Sequence, residues 1–76
     1  MDFKKATDIL FSQVAHDDLA RTLDVSVALI RQARLQPMAN AHRAPPEGWE
    51  KAVRQLAQDR ARHYQRLADQ LARLKK

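Results

Sequence analysis

The sequence predicts an all-α fold in which three short helices precede one long amphipathic helix. Three observations lead there. Apolar residues recur at the three- and four-residue spacing of helix faces. A single Gly, three Pro and 5% aromatic residues leave little material for turns and sheets. A long, unbroken periodic stretch follows the one segment where Pro and Gly collect, between Gln36 and Gly48. With 76 residues the chain forms one domain, residues 1–76, because a second would have too few residues for a core of its own. A chain this short buries only roughly 60% of the surface its unfolded form exposes, which makes dimerisation a natural addition to its core.

The first helix is expected to start at Thr7 as N-cap with Asp8 in its first turn. It would turn Ile9, Leu10 and Val14 inward with Phe11 beside them, and end near Ala15. The second starts at once, with Asp17 and Asp18 where acids favour a helix N-terminus and Leu19, Ala20 and Leu23 as its buried stripe. The third takes Ser26 as N-cap and runs through Ile30 and Ala33 until Pro37 stops it. Only Asp24 and Val25 separate the second helix from this cap, so the two helices must cross steeply about a tight turn. Residues 37–45 form a Pro-containing loop. The long helix covers residues 46–76, with Pro46 at its first position, Glu47 and Glu50 in its first turns and Lys75 and Lys76 at its end, all matching the helix dipole.

The stretch from His16 to Leu35, HDDLARTLDVSVALIRQARL, resembles the helix-turn-helix unit of the phage-repressor and Cro-like (XRE-type) family of DNA-binding domains. Ala20 stands where that family has a small residue at the helix contact. Leu23, Val25 and Ile30 close the corner with aliphatic side chains, and Ala33 continues the inward face. The turn departs from the family in having Asp24 where Gly is usual; Asp is among the non-Gly residues that best tolerate a left-handed backbone. Ala15 and His16 replace the Ser or Thr cap and following Gln common at the start of the second helix, so no phosphate contact is carried over to them. The resemblance implies a three-helix unit over residues 6–36 and a third helix that enters the major groove.

On that reading Ile30 and Ala33 fix the inward face of the third helix, and Ser26, Val27, Ala28, Arg31 and Gln32 face the bases. Arg31 can donate two hydrogen bonds to guanine O6 and N7, Gln32 can pair with adenine N6 and N7, and Val27 and Ala28 can meet thymine methyls. Arg21, Arg34 and Arg43 become phosphate contacts that set register. The charge distribution agrees. Of the net +5, residues 1–20 contribute −2, residues 21–43 contribute +3 and residues 44–76 contribute +4, and nine of the fourteen basic residues are Arg.

In the long helix, Trp49, Val53, Leu56, Ala57, Tyr64, Leu67, Leu71 and Leu74 fall within one stripe about 100° wide. Opposite lie Lys51, Arg54, Arg62, Arg66, Asp69 and Arg73. Glu47 with Lys51, Glu50 with Arg54 and Asp69 with Arg73 are acid-first i, i+4 pairs. A 30-residue helix of about 45 Å outruns the unit it covers. Its first half, Trp49 to Ala57, is expected to close the core. Arg60 marks the boundary with a second half whose Tyr64, Leu67, Leu71 and Leu74 form a dimer interface.

Other function classes lack support. The chain has no Cys, its three His share no metal-ligand spacing, and it has no Gly-rich phosphate loop, so neither an enzyme, a metal nor a cofactor is expected. His42 reads as a surface residue or phosphate contact and His63 as an interface filler. No apolar run approaches a membrane span and no signal-like stretch follows Met1 to Lys5, so no membrane partner and a cytoplasmic location are expected. The reading is a sequence-specific double-stranded DNA-binding protein, a homodimeric transcriptional regulator of bacterial or phage type, repressor-like in acting by occupancy of a palindromic site. The alternative is a protein-interaction module, antitoxin-like or an adaptor, whose long helix binds a protein partner.

Overall fold

The computed structural model describes residues 1–74. Four helices follow in order: α1 (Phe3–Leu10), α2 (His16–Leu23), α3 (Val27–Ala33) and α4 (Trp49–Leu74). The expected all-α class is observed, with the long helix last. The expected helix-end role of Lys75 and Lys76 lies outside the described residues.

α1 begins five residues earlier than expected and ends at Leu10, short of Ala15. Asp2, not Thr7, is the N-cap, its carboxylate accepting from the Lys5 amide at 2.8 Å. The earlier start rotates the inward face onto Phe3, Ala6, Thr7 and Leu10, the i, i+3, i+4, i+7 set, and leaves Ile9 65% exposed. Thr7 is fully buried in mid-helix, where its hydroxyl satisfies itself by donating to the Phe3 carbonyl at 2.7 Å. Val14 enters the core as expected, and Phe11 packs beside it.

α2 and α3 start where the sequence puts them, but α3 ends at Ala33, before Pro37 can stop it. Ala15 precedes α2 without a side-chain cap, so its N-terminus relies on Asp17 and Asp18 in the first turn. Asp24 ends α2 at φ 56°, ψ 47°, the left-handed conformation expected of the turn, and is the only non-Gly residue with positive φ among the described residues. Ser26 caps α3 by accepting from the Leu29 amide at 3.1 Å. Leu19 and Ile30 meet behind this turn with no exposed surface, alongside Ala20 and Ala33.

Residues 46–48 are a turn and not the first turn of the long helix. Gly48 at φ 82° precludes helix there, and α4 starts at Trp49. From there α4 runs without interruption past Arg60 to Leu74. Trp49, Ala52, Val53 and Leu56 pack onto α1 and α2, α3 packs on α2, and the Phe3 and Trp49 rings meet edge to face at 5.3 Å. Ala57, expected inward, is exposed. Of the acid-first pairs expected along α4, none closes to 4 Å among the described residues; Asp59 pairs with Arg62, and Asp69 accepts from Gln65 instead. Those side chains are solvated, and such contacts are weak.

Leu19→Ala or Ile30→Ala should each cost about 2–5 kcal/mol, a large part of a small domain's stability, and urea melts would show it as a lowered midpoint. The left-handed turn predicts the order Gly, Asp, Val for stability at position 24. Asp24→Val should lose about 1–2 kcal/mol, and Asp24→Gly should lose none.

Candidate nucleic-acid interface

The outward side of α3 is the surface on which the sequence places base contacts. Ser26, Ala28 and Arg31 are exposed along it, Ser26 with its hydroxyl engaged in the helix cap. Val27 and Gln32 differ from expectation. Val27 is half-buried and packs against the core, and Gln32 is half-buried, its backbone carbonyl accepting from the Arg43 amide at 3.3 Å. The exposed centre of the face is therefore narrower than five residues and is anchored on Ala28 and Arg31.

The three arginines assigned to phosphate separate into two kinds. Arg21 is 78% exposed, with only a loose approach of 3.9 Å to Asp18. Arg43 is also exposed; its guanidinium donates to the His42 carbonyl, and its backbone ties the loop to the end of α3. Arg34 is different, with 22% of its side chain exposed. It pairs with Asp8, donates to His16 Nε2 at 3.2 Å and lies 5.1 Å from the centre of the Phe11 ring. An arginine so committed holds α1, α2 and the end of α3 together and is not free to meet phosphate.

This cluster is the polar feature that reading along the sequence missed. Asp8 and Arg34 are 26 residues apart, and no periodicity links positions in different helices. Within it, Lys4 and Arg34 hold the Asp8 carboxyl below its ordinary range through hydrogen bonds. Burial, reinforced by the nearby charges of Arg34 and Arg31 and opposed by Asp17, lowers the affinity of His16 for a proton. Accepting from Arg34 requires His16 Nε2 to be unprotonated, so the neutral ring carries its proton on Nδ1. The ring also lies against Phe11, tilted by 59° with centroids 3.9 Å apart.

The loop after α3 folds back on it. The His42 ring donates from Nδ1 to the Leu35 carbonyl at 3.0 Å, which gives this residue a structural partner. His63 sits beside Tyr64 on the exposed half of α4, their rings 5.4 Å apart. Tyr64, Leu67, Leu71 and Leu74, assigned to a dimer interface, are between 47% and 79% exposed. Among the described residues no group of three or more His, Asp or Glu is placed to hold a metal ion, and no helix is long and apolar enough to cross a membrane.

The His16 geometry carries a sign for pH. A histidine whose folded form resists protonation contributes stability above its ordinary value of 6.5 and loses it as pH falls further. Thermal melts should therefore show a midpoint falling between pH 7.5 and pH 5, and His16→Gln should flatten that slope. Arg34→Ala should lower the melting midpoint at pH 7.5, whereas Arg21→Ala should leave it unchanged.

Comparison of the chain with family models, with curated proteins and with solved structures finds no match.

Proposed function

We propose that the protein binds double-stranded DNA sequence-specifically as a homodimeric transcriptional regulator, with α2 and α3 as a helix-turn-helix unit and α3 as the helix that reads the major groove. The observation that carries the reading is the junction of α2 and α3. Asp24 in the left-handed conformation, Ser26 capping α3 two residues later, and Leu19, Ala20 and Ile30 filling the corner form a rigid unit from which Ala28 and Arg31 project. Around it lie Arg21 and Arg43, both exposed. Arg31 donates to guanine, Gln32 reaches a neighbouring base from the flank of the face, and Arg21 and Arg43 set register on phosphate. Arg34 drops out of the phosphate set because Asp8 and His16 occupy it. Regulation follows from occupancy, the dimer covering a palindromic site.

A second reading, a module that binds another protein, draws on the exposed leucines of α4, which a monomer leaves in water. The two readings separate on duplex binding.

Affinity for duplex DNA should fall linearly in log–log form as salt rises, and Arg21→Ala or Arg43→Ala should each reduce the slope by about 1. Arg31→Ala should cost about 1–3 kcal/mol on the preferred site and much less on random duplex. An equal loss on every sequence would mean that α3 does not read bases, and no binding at low salt would overturn the regulator reading.

A further inference from the structure

The apolar ridge of α4 repeats itself. Leu67, Leu71 and Leu74 each follow a core residue, Trp49, Val53 and Leu56 respectively, by 18 positions, which is about five full turns. The second half of the helix thus presents the same face that its first half buries against α1 and α2. That face is left bare from Leu67 onward, and Tyr64 just before it is half-exposed with its hydroxyl donating to Gln13 at 3.0 Å. At its root, between α1 and α4, lies a groove walled by Ile9, Leu10, Gln13, Ala57, Ala61 and Tyr64. One chain therefore carries both an overhanging ridge and an apolar groove.

The geometry points to a second copy of this chain as the occupant, paired antiparallel along α4. This rests on the homodimer proposed above and specifies its interface. A parallel pair is sterically closed. Because the three-helix body sits on the same stripe that would face the partner, two parallel copies would put both bodies in one space. Parallel pairing would also stack half-buried Arg60 against its own counterpart. Running antiparallel, the part of each body that packs on Trp49 to Leu56 lies beyond the end of the other helix.

The heptad pattern sets the register. Ala57, Tyr64 and Leu71 alternate with Val53, Arg60, Leu67 and Leu74 at four- and three-residue steps, and antiparallel layers pair one series with the other. Tyr64 then faces the partner's Leu67, Arg60 faces the partner's Leu71, and Ala57 faces the partner's Leu74. Ala61 meets the partner's Ala68, two small side chains that let the backbones approach. The partner's helix end fills the groove beside the exposed Ile9.

The register also sets a distance. The body of each copy is centred near the middle of the Trp49 to Leu56 segment, and the two centres lie about 26 residue steps apart, or about 39 Å along the paired helices. Successive major grooves on one face of DNA are separated by roughly 34 Å, a span of the same size.

Cysteine cross-linking tests the pairing, and the chain has no cysteine of its own to interfere. Full-length Ala61→Cys and Ala68→Cys proteins, one of them tagged, are mixed and oxidised. The mixture should give a disulfide-linked heterodimer as the main product, and each variant alone should stay mostly uncrosslinked, since two copies of position 61 lie about 13 Å apart along the axis. Self-cross-linking of either variant as efficient as the mixture, or no cross-linking in the mixture, overturns the proposal. Ile9→Asp should weaken dimerisation at least tenfold by sedimentation with helix content unchanged; an unchanged dimer would remove α1 from the interface and overturn the groove assignment. A cross-linked dimer without duplex affinity would overturn the DNA-binding reading and leave this pairing standing. A monomer that binds duplex DNA would do the reverse.

Discussion

Helices of seven or eight residues do not persist in water by themselves, so α1, α2 and α3 depend on what lies across them. For α1 and α2 that element is the first half of α4, and α3 packs in turn on α2. Trp49, Ala52, Val53 and Leu56 supply the surface on which α1 and α2 gather, and Phe3 closes edge to face on Trp49 at the far end. The core is otherwise built of small and aliphatic side chains, with Leu19 and Ile30 at its centre. A 76-residue chain has little more to bury, and the continuation of the same stripe past Arg60 is the apolar surface it still holds in reserve.

A second tie is polar. Arg34 joins Asp8 of α1 and His16 of α2 to the end of α3 and covers the Phe11 ring. It steadies the surface from which Arg31 projects while taking itself out of any binding role. It also couples that surface to pH, because the neutral His16 ring that accepts from Arg34 would have to turn away once protonated.

Legibility differed between elements for physical reasons. α2 and α3 were legible because their signals are local: acids at one helix start, a serine cap at the other, and an aspartate between them that tolerates the left-handed turn. α1 was misplaced because Thr7 and Asp8 imitate a helix start, whereas Asp2 supplies the cap and Thr7 hides its hydroxyl by bonding backward. The start of α4 moved from Pro46 to Trp49 because Gly48 takes a conformation that no helix accepts. Of the candidate base contacts, Val27 and Gln32 proved half-buried, since a seven-residue helix lodged against a core exposes less than its wheel suggests.

What the sequence by itself determined was the helical class, the order of the four helices, the left-handed turn at Asp24 and the single stripe along α4. All of these follow from caps, breakers and periodicity within a few residues. The tertiary structure alone decided that Arg34 faces Asp8 and His16, that Ile9 stays outside while Thr7 goes in, and that the α4 stripe is half covered. These depend on which surfaces meet across 18 or more residues of chain, where neither spacing nor composition carries a signal.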